Sequence, residues 1–133
     1  AELVRLAHKN NIRIIPLVGP SSILLALMAS GLNGQQFAFN GYLPIESNAR
    51  ISKIIELEKL SISRNQTQIF IEAPYRNQKL LEQLIKACSD STNLCIASHL
   101  TFSNEMVATR TIKEWSRSLP DINKIPTIFL LHG

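Results

Sequence analysis

The chain has 133 residues, of which 45% are apolar and 18% charged, enough apolar material for one folded domain with a core and too much for a disordered tail. No stretch approaches the roughly 18 uninterrupted apolar residues that a membrane span needs, and the first residues lack the basic, apolar, small-residue order of a signal peptide, so a cytoplasmic protein without a membrane partner is expected. The net charge of +4 permits an anionic partner without naming one, because seven basic residues fall in the first 67 positions and seven after them, with no polybasic run and no aromatic interleaving.

Ala1 has no preceding methionine, and Leu3, Val4, Leu6 and Ala7 read as the end of an amphipathic helix already under way. Asn10 and Asn11 stop it. The run Ile12 to Val18 is apolar and rich in β-branched residues, which predicts a short buried strand. Gly19-Pro20-Ser21-Ser22 then turns into a helix over Ile23 to Met28, with Ser21 or Ser22 as the capping residue and Gly31 as a left-handed stop.

Phe37, Phe39 and Leu43 predict a strand that Pro44 closes. From Ser47 to about Leu60 the pattern is helical, with Ile51, Ile54 and Ile55 as the apolar stripe and Arg50, Lys53, Glu56 and Lys59 falling away from it. Thr67 to Ala73 is a strand, and Leu80, Leu81, Leu84, Ile85 and Cys88 mark one face of the clearest helix in the sequence. Leu94 to Leu100 and Met106 to Arg110 are strands joined by a polar turn. Thr111 and Glu114 make a capping box for a short helix carrying Trp115, and Thr127 to Leu131 is a terminal strand.

This order predicts an α/β (α+β two-layer) fold with a mixed sheet of about five strands, the hairpin around Ser103 being antiparallel. Cys88 and Cys95 are the only cysteines, and His8, His99 and His132 are scattered, so no metal set is expected and both thiols should be buried in a reducing compartment.

No dinucleotide loop, phosphate loop, zinc-helix motif or nucleophile elbow is present. Four segments carry polar groups where chemistry is possible. Gly19-Pro20-Ser21-Ser22 is either a ligand turn or simply a capped helix start. Glu72, Tyr75 and Arg76 crowd the carboxyl end of an apolar strand, where α/β sheets bind ligands, or else merely pair with each other. Ser47, Asn48 and Arg50 stand at a helix N-terminus that favours anions, or at an ordinary solvated first turn. His99 and Glu105 flank a strand turn, as an acid/base pair or as a half-buried histidine with an unrelated neighbour.

Taken in order, Pro16 to Ser21 (P-x-x-G-P-S), Ala26 to Leu32 (A-x-x-A-S-G-L) and Phe39 to Pro44 (F-x-G-Y-L-P) resemble the tetrapyrrole methylase family. The blocks E-S-N-A-R, F-I-E-A-P-Y-R and H-L-T-F-S-N-E, with the terminal apolar strand, resemble the branch that methylates a cytidine ribose 2′-oxygen in small-subunit ribosomal RNA. The resemblance implies a homodimeric enzyme that binds S-adenosylmethionine between an N-terminal α/β domain and a C-terminal mixed domain. Residues 1 to 19 would be the last helix and strand of the first domain and residues 20 to 133 the second. The family's glycine-rich and acidic loops are absent from this stretch, so the chain alone is expected to bind cofactor poorly and to be inactive.

By position, the resemblance implies cofactor contacts at Gly19, Pro20, Ser21, Glu72, Ala73, Ser98, Leu100 and Thr127, many through backbone. It implies a substrate side with Arg50, Lys53, Arg76 and Glu105, and it assigns no catalytic residue. Ile45 and Glu46 stand where the branch has basic residues, Tyr75 replaces a histidine, and His99 and Phe102 replace a glutamate and a lysine. Two rival readings are a precursor-specific tetrapyrrole (precorrin) C-methyltransferase and a non-catalytic relative serving as an interaction module.

Overall fold

The computed structural model describes residues 1–133. Helix α1 (Glu2–Lys9) is followed by α2 (Ser22–Ser30), β1 (Phe37–Tyr42), α3 (Ser47–Arg64), β2 (Thr67–Ile71), a 3₁₀ turn (Pro74–Arg76), α4 (Asn77–Ala87), β3 (Asn93–Ser98), β4 (Met106–Thr111), α5 (Ile112–Arg117) and β5 (Thr127–His132). The five strands form one mixed sheet in the order β1-β2-β5-β3-β4. β1 and β2 run parallel across the α3 crossover, whereas β5 slots antiparallel between β2 and β3, and β3 with β4 forms the expected hairpin.

The central strands are buried on both faces, and their alternation sorts the core. Phe70, Ile96 and Phe129 point to the side covered by α3, α4 and α5, where 15 buried apolar residues form the main core. Ile69, Cys95, Ala97, Ile128 and Leu130 point to the other side, against Ala26 and Leu27 of α2. Phe70 and Phe129, register partners on β2 and β5, stack with centroids 5.9 Å apart. The α4 face read from sequence is realised, with Leu80, Leu81 and Leu84 fully buried. So is the capping box of α5, in which the Thr111 hydroxyl accepts from the Glu114 amide while the Glu114 carboxylate accepts from the Thr111 amide.

Three expectations need correction. Ile12 to Val18 is not a buried strand: it has no regular structure and is exposed throughout, Leu17 at 90%. An apolar β-branched run becomes a strand only where a neighbour satisfies its N–H and C=O groups, and no strand of this chain lies beside it. Arg50 does not fall away from the α3 stripe but is 2% exposed, because the buried line of that helix is Arg50, Ile54, Leu57, Glu58 and Ser61. Finally, Ser21 stands at the N-cap of α2 with extended backbone, yet its hydroxyl accepts no amide hydrogen bond. Gly31 does stop that helix with φ +71°.

Candidate functional site at the carboxyl edge of the sheet

The register brings the polar turns to one edge. Tyr42 pairs with Ile71, Ile71 with Ile128 and Ser98 with Thr127, so the carboxyl ends of β1, β2 and β3 meet the amino end of β5. On the α2 face of that edge lies a concave pocket of about 430 Å³. Ala97, Leu100, Phe102 and Ile128 make its apolar lining, and Ser22, His99, Asn104 and Thr127 supply polar groups. His99 is the one titratable side chain among the lining residues.

The wall from His99 to Glu105 is bent by two non-glycine residues in the left-handed region, His99 at φ +50° and Thr101 at φ +73°. A β-branched residue there is strained and persists only where its surroundings fix it. The fixing bonds are visible: the Phe102 amide donates to the His99 carbonyl at 2.9 Å and the Glu105 amide to the Phe102 carbonyl at 3.0 Å. The Glu105 carboxylate then accepts from the Thr101 amide at 2.7 Å. Glu105 therefore shapes the pocket wall with the group that sequence reading placed on the substrate side.

A second cluster occupies the same edge on the opposite face. Glu72, 5% exposed, accepts at Oε1 from the Ala73 amide at 2.6 Å and from Arg76 Nη2 at 2.7 Å. Arg50 Nη1 lies 3.7 Å from Glu72 Oε2, and its Nη2 donates to the Ile45 carbonyl at 2.5 Å. Burial pushes the Glu72 carboxyl up, but the hydrogen bonds from Arg76 and Ala73 and the charges of Arg76 and Arg50 outweigh it and hold the group below the ordinary carboxylate range. Two guanidiniums share one carboxylate, which leaves a surplus positive charge.

The implied cofactor residues thus divide. Leu100 and Thr127 line the pocket directly; Ser21 precedes its Ser22; Ser98 is buried with its side chain on the far face, so only its backbone is near. Glu72 is engaged with the two arginines, Ala73 is half-buried beside it, and Gly19 and Pro20 are exposed with nothing against a Cβ built at Gly19. Of the implied substrate residues, Arg50 and Arg76 converge on Glu72, Lys53 pairs with Glu56 at 2.7 Å one turn along α3, and Glu105 lies in the other loop. The α3 N-terminus, offered to anions by the sequence, is filled by Glu46, whose carboxylate accepts from the Asn48 and Ala49 amides at 3.0 and 2.6 Å. Those two hydrogen bonds hold its carboxyl below the ordinary range.

Ala97, Pro126 and Ile128 of the pocket lie outside every segment that the sequence singled out for chemistry. Apolar strand residues give no sign of bordering a cavity; Pro126, immediately before the last strand, was the one available signal. No group of three or more histidine, cysteine or acidic residues is placed to hold a metal, and no helix is long and apolar enough to cross a membrane.

No protein-family model matches the chain. Among curated proteins it is similar to ribosomal RNA small subunit methyltransferase I of Vibrio cholerae, 31% identical over 98% of this chain and 45% of that protein. The Haemophilus influenzae protein of the same name is 30% identical over 98% of this chain and 46% of its own length. The chain therefore spans about 45% of the curated relatives it matches. Among solved structures, the methyltransferase CobJ superposes with a TM-score of 0.58 at 14% identity, covering 98% of this chain and 55% of that one. The cobalt precorrin-4 methyltransferase CbiF gives 0.55 at 14% identity, covering 98% and 56%.

Proposed function

We propose, from the premise that this chain belongs to the tetrapyrrole methylase family on its ribosomal RNA methyltransferase side, that it forms part of an S-adenosylmethionine-dependent enzyme methylating a ribose 2′-oxygen of small-subunit ribosomal RNA. The observation that carries the reading is the pocket at the carboxyl edge. It is the place where open α/β sheets receive ligands, its 430 Å³ falls in the size range of small-molecule sites, and its apolar lining with a few polar groups suits an adenosine.

In this reading Ala97, Leu100 and Ile128 of the lining would hold the adenine by apolar contact, with backbone groups between Ser98 and Leu100 and at Thr127 available to its edge and Gly19 to Ser22 closing one side. The cofactor supplies an electrophilic methyl group on a sulfonium. Transfer needs the acceptor oxygen in line with that methyl group, and little covalent help, so positioning carries most of the acceleration. The Arg50, Glu72 and Arg76 cluster supplies positive charge on the substrate side, where RNA phosphate is attracted. Residues 1–19 pack, in the same reading, with a preceding α/β domain; the exposed Ile12, Ile15, Leu17 and Val18 are the surface that such a domain would cover. The working form is a cytoplasmic homodimer without a metal.

The test is methyl transfer from labelled S-adenosylmethionine by the intact protein, with small ribosomal subunits and precorrin precursors offered in parallel. The reading expects label on an RNA ribose that resists alkaline cleavage. Label on the tetrapyrrole, or none on either while cofactor still binds, contradicts it.

A further inference from the structure

We propose that Tyr75, Arg76 and Lys124 form a nucleotide-binding platform for single-stranded RNA, on the sheet edge that carries the pocket but on its other face; this rests on the RNA methyltransferase reading above. Tyr75 is 64% exposed on the 3₁₀ turn after β2. The guanidinium of Arg76 lies 4.7 Å from its ring centroid, and Nη1 of Arg76 donates to the phenol oxygen. One face of the ring is therefore covered by a cation while much of the side chain stays open. Tyr75 contributes nothing to either core cluster.

The arrangement is held from beneath. Glu72 Oε1 takes the other arm of Arg76 at 2.7 Å, and Arg50 stands behind Glu72 with the surplus positive charge. An arginine fixed at both ends loses little freedom on binding, so the stacked pair is ready for a planar ligand.

Lys124 adds the phosphate side. It is exposed, with φ +60°, and its amide donates to the Pro74 carbonyl at 2.9 Å, which pins a left-handed lysine to the first residue of the same turn. Asn77 Nδ2 donates to the Ile125 carbonyl at 2.6 Å as a second tie. Pro126 and Thr127, next in the chain, line the cofactor pocket. Ile125 alone separates Lys124 of the platform from Pro126 of the pocket. An aromatic face with flanking cations is the chemistry that takes an unpaired base and its phosphate.

Binding of a fluorescently labelled single-stranded RNA oligonucleotide to the intact protein, measured across a salt series, tests the inference with Tyr75→Ala, Tyr75→Phe and Lys124→Ala. Loss of one stacking partner should weaken RNA binding about tenfold in Tyr75→Ala, with an unaltered salt slope, while Tyr75→Phe retains most of the affinity. Lys124→Ala should lower the log-log salt slope by about 0.7, the value for one phosphate contact on a single strand. Cofactor affinity should be unchanged in all three. RNA affinity within twofold of wild type in Tyr75→Ala, equal losses in the alanine and phenylalanine variants, or an unaltered slope in Lys124→Ala overturns the platform. Wild-type protein that binds RNA but transfers no methyl group sinks the enzymatic reading and leaves the platform standing; methyl transfer with undiminished RNA affinity in Tyr75→Ala does the reverse.

Discussion

Glu72 is the residue on which the polar edge turns. Its carboxylate joins β2 to α3 through Arg50 and to the 3₁₀ turn through Arg76, and removing one member of a buried ion cluster strands the others without compensation. Glu72→Gln should therefore cost about 3 kcal/mol in urea unfolding. Because the folded-state carboxyl is held below the ordinary range, its contribution is present above the unfolded pKa and is lost as pH falls through the folded one. The variant should accordingly show a flatter loss of stability than wild type as pH drops below the ordinary carboxylate range; parallel acid-melting curves would contradict this. The strand end was legible from the polar residues after an apolar run, but the burial of Arg50 was not. Ile51, Ile54 and Ile55 drew the stripe toward apolar residues, whereas Arg50 and Glu58 lie on the buried line because each meets a partner, Glu72 for the first and Thr92 with the Ser89 amide for the second. The two thiols were legible as buried. Burial, with the nearby Glu58 carboxylate, pushes Cys88 up to about 12, and burial pushes Cys95 up as well. Neither should react with a thiol reagent at neutral pH until urea unfolds the chain, when both should; rapid reaction of one in the folded state would contradict the core assignment.

At the scale of elements, α4 could be read because its apolar spacing coincides with its buried face, and Leu84→Ala should cost about 3 kcal/mol by the cavity it leaves. The position of β5 between β2 and β3 could not be read, because pairing across long stretches of sequence leaves no local pattern. The same holds for Ile12 to Val18, where composition promised a strand but no partner lies beside it. The loop from His99 to Glu105 was legible as a turn and not as a strained pocket wall, since nothing local forces Thr101 to φ +73°. Its anchor is the Glu105 carboxylate. Glu105→Ala should relax the loop and weaken cofactor binding by the intact protein by up to about tenfold, the scale of one lost hydrogen bond to a charged group, while Glu105→Gln, which keeps an acceptor, should lose less. Equal affinities in calorimetry for wild type and Glu105→Ala would show that the loop does not shape the site.

For the molecule as a whole, one sheet edge carries two sites on opposite faces: an apolar pocket under α2 and a cationic cluster beside α3 and α4. In the proposed reading a small-molecule donor would occupy the first and a polyanionic acceptor would approach the second, and the two must meet over the rim of the edge, since transfer needs the reacting atoms in contact. The claim that the pocket is the cofactor site is tested most directly by calorimetric titration of S-adenosylmethionine into the intact protein carrying Ala97→Leu, a substitution that thickens the pocket floor where it meets the buried cluster under α2. The account predicts affinity at least tenfold below wild type, because the larger side chain takes up space the ligand needs, with the variant still melting cooperatively at a stability cost of about 1–3 kcal/mol for the overfilled position. Wild-type affinity in that folded variant would contradict it.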